Sequence, residues 1–147
     1  MTNDTFVQLN QLVDKFGTED FAILGFPSSQ FKNQCPGATF QQIYNCLKYV
    51  TPGSGFEPNF LMFEKSNVNG PVETINPVFA WLKSACGPSG PTLFDTVYVS
   101  WTPVMYNDIE WNFAKFLISK TGKIVKRYSS QTYPVFLTGD IAELLLE

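Results

Sequence analysis

Residues 107–129 read NDIEWNFAKFLISKTGKIVKRYS, and their pattern decides the fold. Two runs of strand-forming residues, FAKFLI and KIVKRYS, flank Ser119-Lys120-Thr121-Gly122, a tight-turn composition. The stretch therefore predicts a β-hairpin with a four-residue loop. Trp111 and Asn112 stand together at the mouth of the first strand. An indole N–H beside a carboxamide NH2 gives fixed donors suited to an anion. The second strand carries the basic pair Lys126–Arg127.

Upstream of the hairpin the periodicity changes. Phe6, Leu9, Val13 and Phe16 recur at helical spacing, and Gly17 follows as a stop. Residues 21–26, FAILGF, form a short continuous apolar run, as expected of a strand buried on both faces of a parallel sheet, and Pro27 ends it. Residues 39–50 read as a helix with Thr39 and Gln42 at capping-box spacing, stopped by Pro52-Gly53. Asn76-Pro77 opens another helix running to about Cys86. A breaker-rich loop covers 87–91, and a last helix covers about 138–146 with Ile141, Leu144 and Leu145 inward. The order is helix, strand, helix, loop, helix, strand, strand, helix. That is a thioredoxin-like α/β layout lacking its first core strand, because parallel strands are normally joined through a helix and here the first helix has no strand before it. Gln30, in GFPSSQF, falls at the carboxyl end of the expected buried strand, the edge where open α/β sheets bind ligands.

Composition narrows the function. The 147 residues fit one domain with a sizeable core, being 44% hydrophobic and 16% aromatic with 14 Phe. A net charge of −3 and the lack of a basic stripe argue against nucleic acid as the main partner. No apolar run approaches the ~20 residues of a membrane span. Histidine is absent, which excludes Ser-His-Asp and Cys-His nucleophile systems and histidine-containing zinc sites. Cys35, Cys46 and Cys86 form no CxxC pair and leave an odd count, so neither a dithiol motif nor a closed disulfide framework is expected.

GFPSSQF, LKYVTPGSGFEPNFLMFEKSNVNG, DIEWNFAKFLI and RYS occur in this order over essentially the whole chain. Together they resemble the glutathione peroxidase family, particularly its tetrameric selenium-dependent members. The resemblance implies a peroxide reductase of thioredoxin-like fold that uses glutathione or another thiol as co-substrate. It places Gln30, Trp111 and Asn112 around a selenocysteine or cysteine nucleophile, where their donors stabilise the anion. It offers Lys126 and Arg127 as contacts for the thiol substrate's carboxylates. Two arginine positions of the family are Thr51 and Tyr106 here, and neither side chain grips a carboxylate as arginine does. A homotetramer is the implied assembly and no metal is implied. The cytoplasm is the default location, with secretion left open.

The family's nucleophile lies in a motif of selenocysteine or cysteine, glycine, any residue, threonine. Thr2 fits that threonine, which puts the nucleophile two places before Met1. The expectation is an N-terminally incomplete domain, inactive and unstable or aggregated when expressed alone. Ser28 stands where the family commonly has cysteine, and without a base its hydroxyl is a poor nucleophile. Cys35 reads as an incidental loop residue, Cys46 as a partly buried helix residue and Cys86 as a helix-end residue. The rival class is a catalytically inactive thioredoxin-like protein acting through binding or oligomerisation.

Overall fold

A computed structural model describes residues 2–32, 34, 37, 39–90 and 96–147. Helices and strands mix in an α/β arrangement, and the chain divides into two compact units. One contains Met1–Pro27, Pro36–Lys65 and Tyr133–Glu147; the other contains Ser28–Cys35 and Ser66–Thr132.

The first unit opens with α1 (Thr2–Phe16), one turn longer than its apolar periodicity suggests. Leu12 and Val13 are buried on its inner face. Gly17, at φ +75°, ends the helix by donating its N–H to the Val13 carbonyl at 2.8 Å. Asn59 holds the helix from outside, its N–H meeting Asn10 Oδ1 at 3.1 Å and its Nδ2 meeting Asp14 Oδ1 at 2.8 Å. α2 (Phe40–Tyr49) begins with the expected capping box. Thr39 Oγ1 accepts from the Gln42 N–H, and Gln42 Oε1 accepts from the Thr39 N–H, at 3.3 Å each. Near the C-terminus a 3-10 turn (Pro134–Leu137) feeds α4 (Thr138–Leu145), which buries Ile141 and half-buries Leu144 and Leu145.

The expected six-residue buried strand shrinks to β1 (Leu24–Gly25), paired in parallel with β2 (Leu61–Met62), a strand the sequence did not announce. Burial on both faces needs a neighbour along each edge and cover above and below. Among the described residues β1 has a single ladder partner, and the facing residues Leu24 and Leu61 remain 49% and 62% exposed. Gly25 lets the strands approach closely: a Cβ there would lie 2.6 Å from Met62 Sδ, so any larger residue would push the methionine aside.

The second unit contains α3 (Pro77–Ala85), a 3-10 turn (Thr96–Tyr98) and an antiparallel hairpin of β3 (Lys115–Ile118) and β4 (Ile124–Tyr128). Asn76 caps α3 by accepting the Val78 N–H at 3.0 Å, with Pro77 at the first position, as the sequence predicts. The hairpin forms, but the ladder leaves residues 119–123 outside it, one more than expected. Leu117 pairs with Lys126 while Ile118 pairs with Ile124, so β4 accommodates Val125 as an extra residue. Gly122, at φ +83°, supplies the left-handed turn residue. Phe31, Val68, Trp101 and Ile109 form the buried core of this unit, with Phe79, Val99, Trp111, Ala114 and Phe116 packed on it. A bridge between Phe31 and Val99 ties the segment after Gln30 to the 3-10 turn.

No helix of the described residues is long and apolar enough to cross a membrane. Leu24 and Leu61 instead present a short, exposed apolar ladder with no further strand on either edge among the described residues, a template for intermolecular pairing. Met1–Glu147 expressed alone is expected to self-associate. Light scattering should show particles larger than a monomer, and the double variant Leu24→Glu, Leu61→Glu should reduce them. A monodisperse, cooperatively melting wild-type monomer would contradict this.

Candidate active site

Gln30, Trp111 and Asn112 all belong to the second unit; Trp111 packs on Phe31 and Asn112 bonds Gln34, both close in sequence to Gln30. Gln30 is buried, and its side chain binds a neighbouring peptide at both ends. Its Oε1 accepts from the Val68 and Asn69 N–H groups at 2.7 and 3.0 Å, and its Nε2 donates to the Asn69 carbonyl at 2.8 Å. That pattern fixes which end is oxygen, since a flipped amide would set donor against donor and acceptor against acceptor. The next residue, Phe31, lies 5.9 Å from the Trp111 ring, centroid to centroid. Tyr98 meets the same indole edge-on at 6.3 Å. Asn112 Nδ2 donates to Gln34 Oε1 at 2.9 Å.

The sequence placed Trp111–Asn112 at a strand entrance. The strand begins later, at Lys115, and the pair lies in a turn whose next residue, Phe113, has φ +63°. Apolar Phe113 and Ala114 look like strand but serve the turn and the core. Each carboxamide NH2 has two hydrogens. One of Gln30's is engaged with Asn69 and one of Asn112's with Gln34, which leaves one on each. The Trp111 indole N–H makes no hydrogen bond to another described residue.

A buried ionic network, which sequence reasoning missed, holds the loop ahead of this turn. Asp108 is 1% exposed. Its carboxylate accepts from Trp101 Nε1 at 2.8 Å, the Met105 N–H at 2.8 Å and Lys83 Nζ at 2.9 Å. Lys83 also reaches Asn69 Oδ1 at 3.2 Å. The only signal in the sequence was a lysine on the otherwise apolar helix PVFAWLKSA, which reads equally well as an exposed charge.

Lys126 and Arg127 part company. Alternation along β4 sends them to opposite faces. Lys126 is exposed, with its ammonium 4.9 Å from the Tyr128 ring centroid. Arg127 is buried, and its guanidinium is engaged by the protein itself. It donates to the Asn107 and Asp108 carbonyls at 2.9 and 2.7 Å and to Glu110 Oε2 at 2.7 Å. Its Nε has no hydrogen-bond partner among the described residues, and its Cζ lies 5.4 Å from the Phe116 ring centroid. Thr51 and Tyr106 extend no charge. Ser28 Oγ accepts the Gln30 N–H at 3.4 Å, a structural contact. Cys46 and Cys86 are free thiols, half-buried at the positions expected of them, and Cys35 lies outside the described residues.

An open cavity of about 330 Å³ borders Gln30, its wall including Ser29, Asn67, Asn69, Thr74 and Trp101. Its lining is largely polar, and neither Trp111 nor Asn112 borders it.

The glutathione peroxidase family model matches residues 1–83. Over 144 residues the chain is 42% identical to glutathione peroxidase 1 of Bos taurus, covering 95% of this chain and 69% of that protein. Glutathione peroxidase 1 of Mus musculus is 44% identical over 144 residues, covering 95% of this chain and 70% of that protein. The crystal structure of Trgpx in apo form superposes with a TM-score of 0.61 at 27% identity, covering 97% of this chain and 71% of that one.

Two measurements test the surroundings of the site. Burial lowers the Lys115 amine from 10.5 to about 8, against the raising influence of Glu110. Between those values the native state has released a proton that the unfolded state still holds, so stability rises with pH across that window. Competitive acetylation should show Lys115 becoming reactive through about pH 8. Asp108→Ala leaves the Lys83 ammonium and the Trp101 N–H without their acceptor, and it should cost about 3–5 kcal/mol of unfolding free energy; a urea titration reads the loss.

Proposed function

The chain belongs to the glutathione peroxidase family, and we propose that Gln30, Trp111 and Asn112 are the donor set of its peroxidatic site. Its fold is the thioredoxin-like α/β fold of that family, and its function is glutathione peroxidase activity: reduction of hydrogen peroxide and organic hydroperoxides in defence against oxidative stress, with glutathione as co-substrate. The observation carrying the site assignment is the donor count. Trp111 contacts Phe31 and Asn112 contacts Gln34, both within four residues of Gln30, and each of the three uncharged groups keeps an N–H with no bond to another described residue. No histidine is needed to stabilise an anion held by such a set.

The anion we assign to them is a selenolate or thiolate carried by a selenocysteine or cysteine outside Met1–Glu147. Neither Ser28 nor any cysteine of this chain occupies the family's nucleophile motif. That nucleophile would supply attack on a peroxide oxygen: the O–O bond breaks, one oxygen stays on it as a selenenic or sulfenic acid and the other leaves as water or alcohol; two thiols then reduce the acid, its oxygen leaving as water and the thiols as a disulfide.

The residues of this chain do the rest. Trp111 donates from a ring fixed between Phe31 and Tyr98, so its N–H direction is set by packing. Gln30 donates from a carboxamide whose other atoms are already bonded, so it loses little freedom when it engages the anion. Asn112 donates from the turn that Phe113 closes. Together they favour the charged nucleophile and so lower its pKa.

For the thiol substrate's carboxylates, Lys126 is the better placed of the basic pair. It is exposed, whereas Arg127 would have to give up Glu110. The PGSGFEPNF segment supports a homotetramer by its resemblance to the tetrameric members.

The test is to join to Met1–Glu147 a designed N-terminal strand ending in the family's nucleophile motif, with selenocysteine or cysteine placed in register with Thr2. Peroxide consumption is then followed with glutathione and a glutathione reductase couple. The extended protein should turn over, and Gln30→Ala, Trp111→Phe and Asn112→Ala should each slow the peroxide step by about 10²-fold, the scale of losing one preorganised donor. Met1–Glu147 alone should be inactive. Turnover by the unextended chain, or triad variants with wild-type rates, would overturn the assignment. No turnover even after extension would favour an inactive binding protein.

A further inference from the structure

One residue grips both halves of the donor set. Asn69 is 1% exposed, and its backbone and side chain serve different partners. Its peptide holds Gln30: the N–H donates to Gln30 Oε1 at 3.0 Å, and the carbonyl accepts from Gln30 Nε2 at 2.8 Å. Its side chain holds Ile109 in the same two-point manner. Oδ1 accepts the Ile109 N–H at 2.8 Å, and Nδ2 donates to the Ile109 carbonyl at 2.8 Å. Ile109 is anchored in the aromatic core and lies two residues before Trp111 and three before Asn112. Each two-point contact fixes rotation as well as distance, much as a pair of strand residues would.

The geometry points to Asn69 as the positioning residue of the peroxidatic site, setting Gln30 against the Trp111–Asn112 turn. The inference rests on the reading of those three residues as the donor set. Asn69 touches no substrate in this role; it acts through Gln30 on one side and through Ile109 on the other. Lys83 completes the device. Its ammonium lies on Asn69 Oδ1 at 3.2 Å, which fixes the carboxamide's oxygen toward the Ile109 N–H and its NH2 toward the Ile109 carbonyl. Other side chains, whether polar or of the same size, cannot fill the position. Aspartate keeps both acceptor contacts but turns a carboxylate oxygen toward the Ile109 carbonyl. Serine is too short to span the two Ile109 groups. Leucine leaves the Lys83 ammonium and the Ile109 peptide groups without this partner, an arrangement that costs stability.

Asn69→Asp therefore separates positioning from folding. It keeps the Lys83 ion contact while releasing one anchor of the donor turn. In the extended protein, rates are expressed per titrated active site, so a smaller folded fraction does not register. The peroxide rate constant should fall about 10-fold, because misplacing groups at a reacting centre by an ångström costs up to about 10²-fold. The nucleophile's pKa, read from alkylation rate against pH, should rise. The double variant Trp111→Phe, Asn69→Asp should be slower than Trp111→Phe alone by clearly less than 10-fold, since the Ile109 anchor that aspartate releases acts through the turn carrying Trp111. Should Asn69→Asp fail to fold, Asn69→Ser carries the same measurements. Wild-type rate constants and nucleophile pKa in the Asn69 variant, or losses that multiply fully in the double variant, would overturn the inference. If Gln30→Ala and Trp111→Phe are themselves without effect, the donor-set reading has failed instead.

Discussion

A carboxylate with almost no exposed surface governs the second unit of this protein. Asp108 draws an ammonium from α3, an indole N–H from Trp101 and a backbone N–H from the loop that carries it. Burying such a charge is tolerable only because every donor arrives together. The consequence is cooperative. α3, the 101–108 loop and the turn bearing Trp111 and Asn112 cannot settle independently of one another. Arg127 extends the same logic from β4. It collects the carbonyls of Asn107 and Asp108 and the carboxylate of Glu110, so the hairpin is tied to the loop from the opposite side.

Much of the local structure was legible because it rests on short-range chemistry. The Thr39–Gln42 capping box, the Asn76–Pro77 helix start, the Gly17 stop and the Gly122 turn each involve residues within a few positions; the first three form as read, and the turn forms in a loop one residue longer. The donor residues were legible through four segments in family register, and Gln30, Trp111 and Asn112 fall within one unit. What the sequence hid was long-range. An apolar run at 21–26 looks the same whether a sheet covers it on two sides or one, and only the ladder shows a two-residue strand. Lys83 looks like a surface charge until Asp108, 25 residues away, is brought beside it. The turn at Trp111 was hidden because phenylalanine at 113 is a strand former by propensity, yet adopts a left-handed backbone.

Adjacent residues can serve unlike ends. In the sequence Lys126 and Arg127 form a basic pair and invite one joint role. Pleating assigns one to solvent and one to the interior, and the guanidinium then works as internal scaffolding. A charge count along a strand therefore overstates the charge a ligand would meet.

The three indoles sit in three distinct settings, and this gives the protein built-in optical reporters. Trp81 is 44% exposed on α3, while Trp101 is buried with its N–H on the Asp108 carboxylate. Trp111 lies between these extremes, wedged by two aromatic rings beside the donor groups. Water-exposed indole emits further to the red than buried indole, so the three contributions differ in colour and in access to quenchers. Occupancy at the donor cluster would be felt first by Trp111, whose emission reports on the site without an added dye.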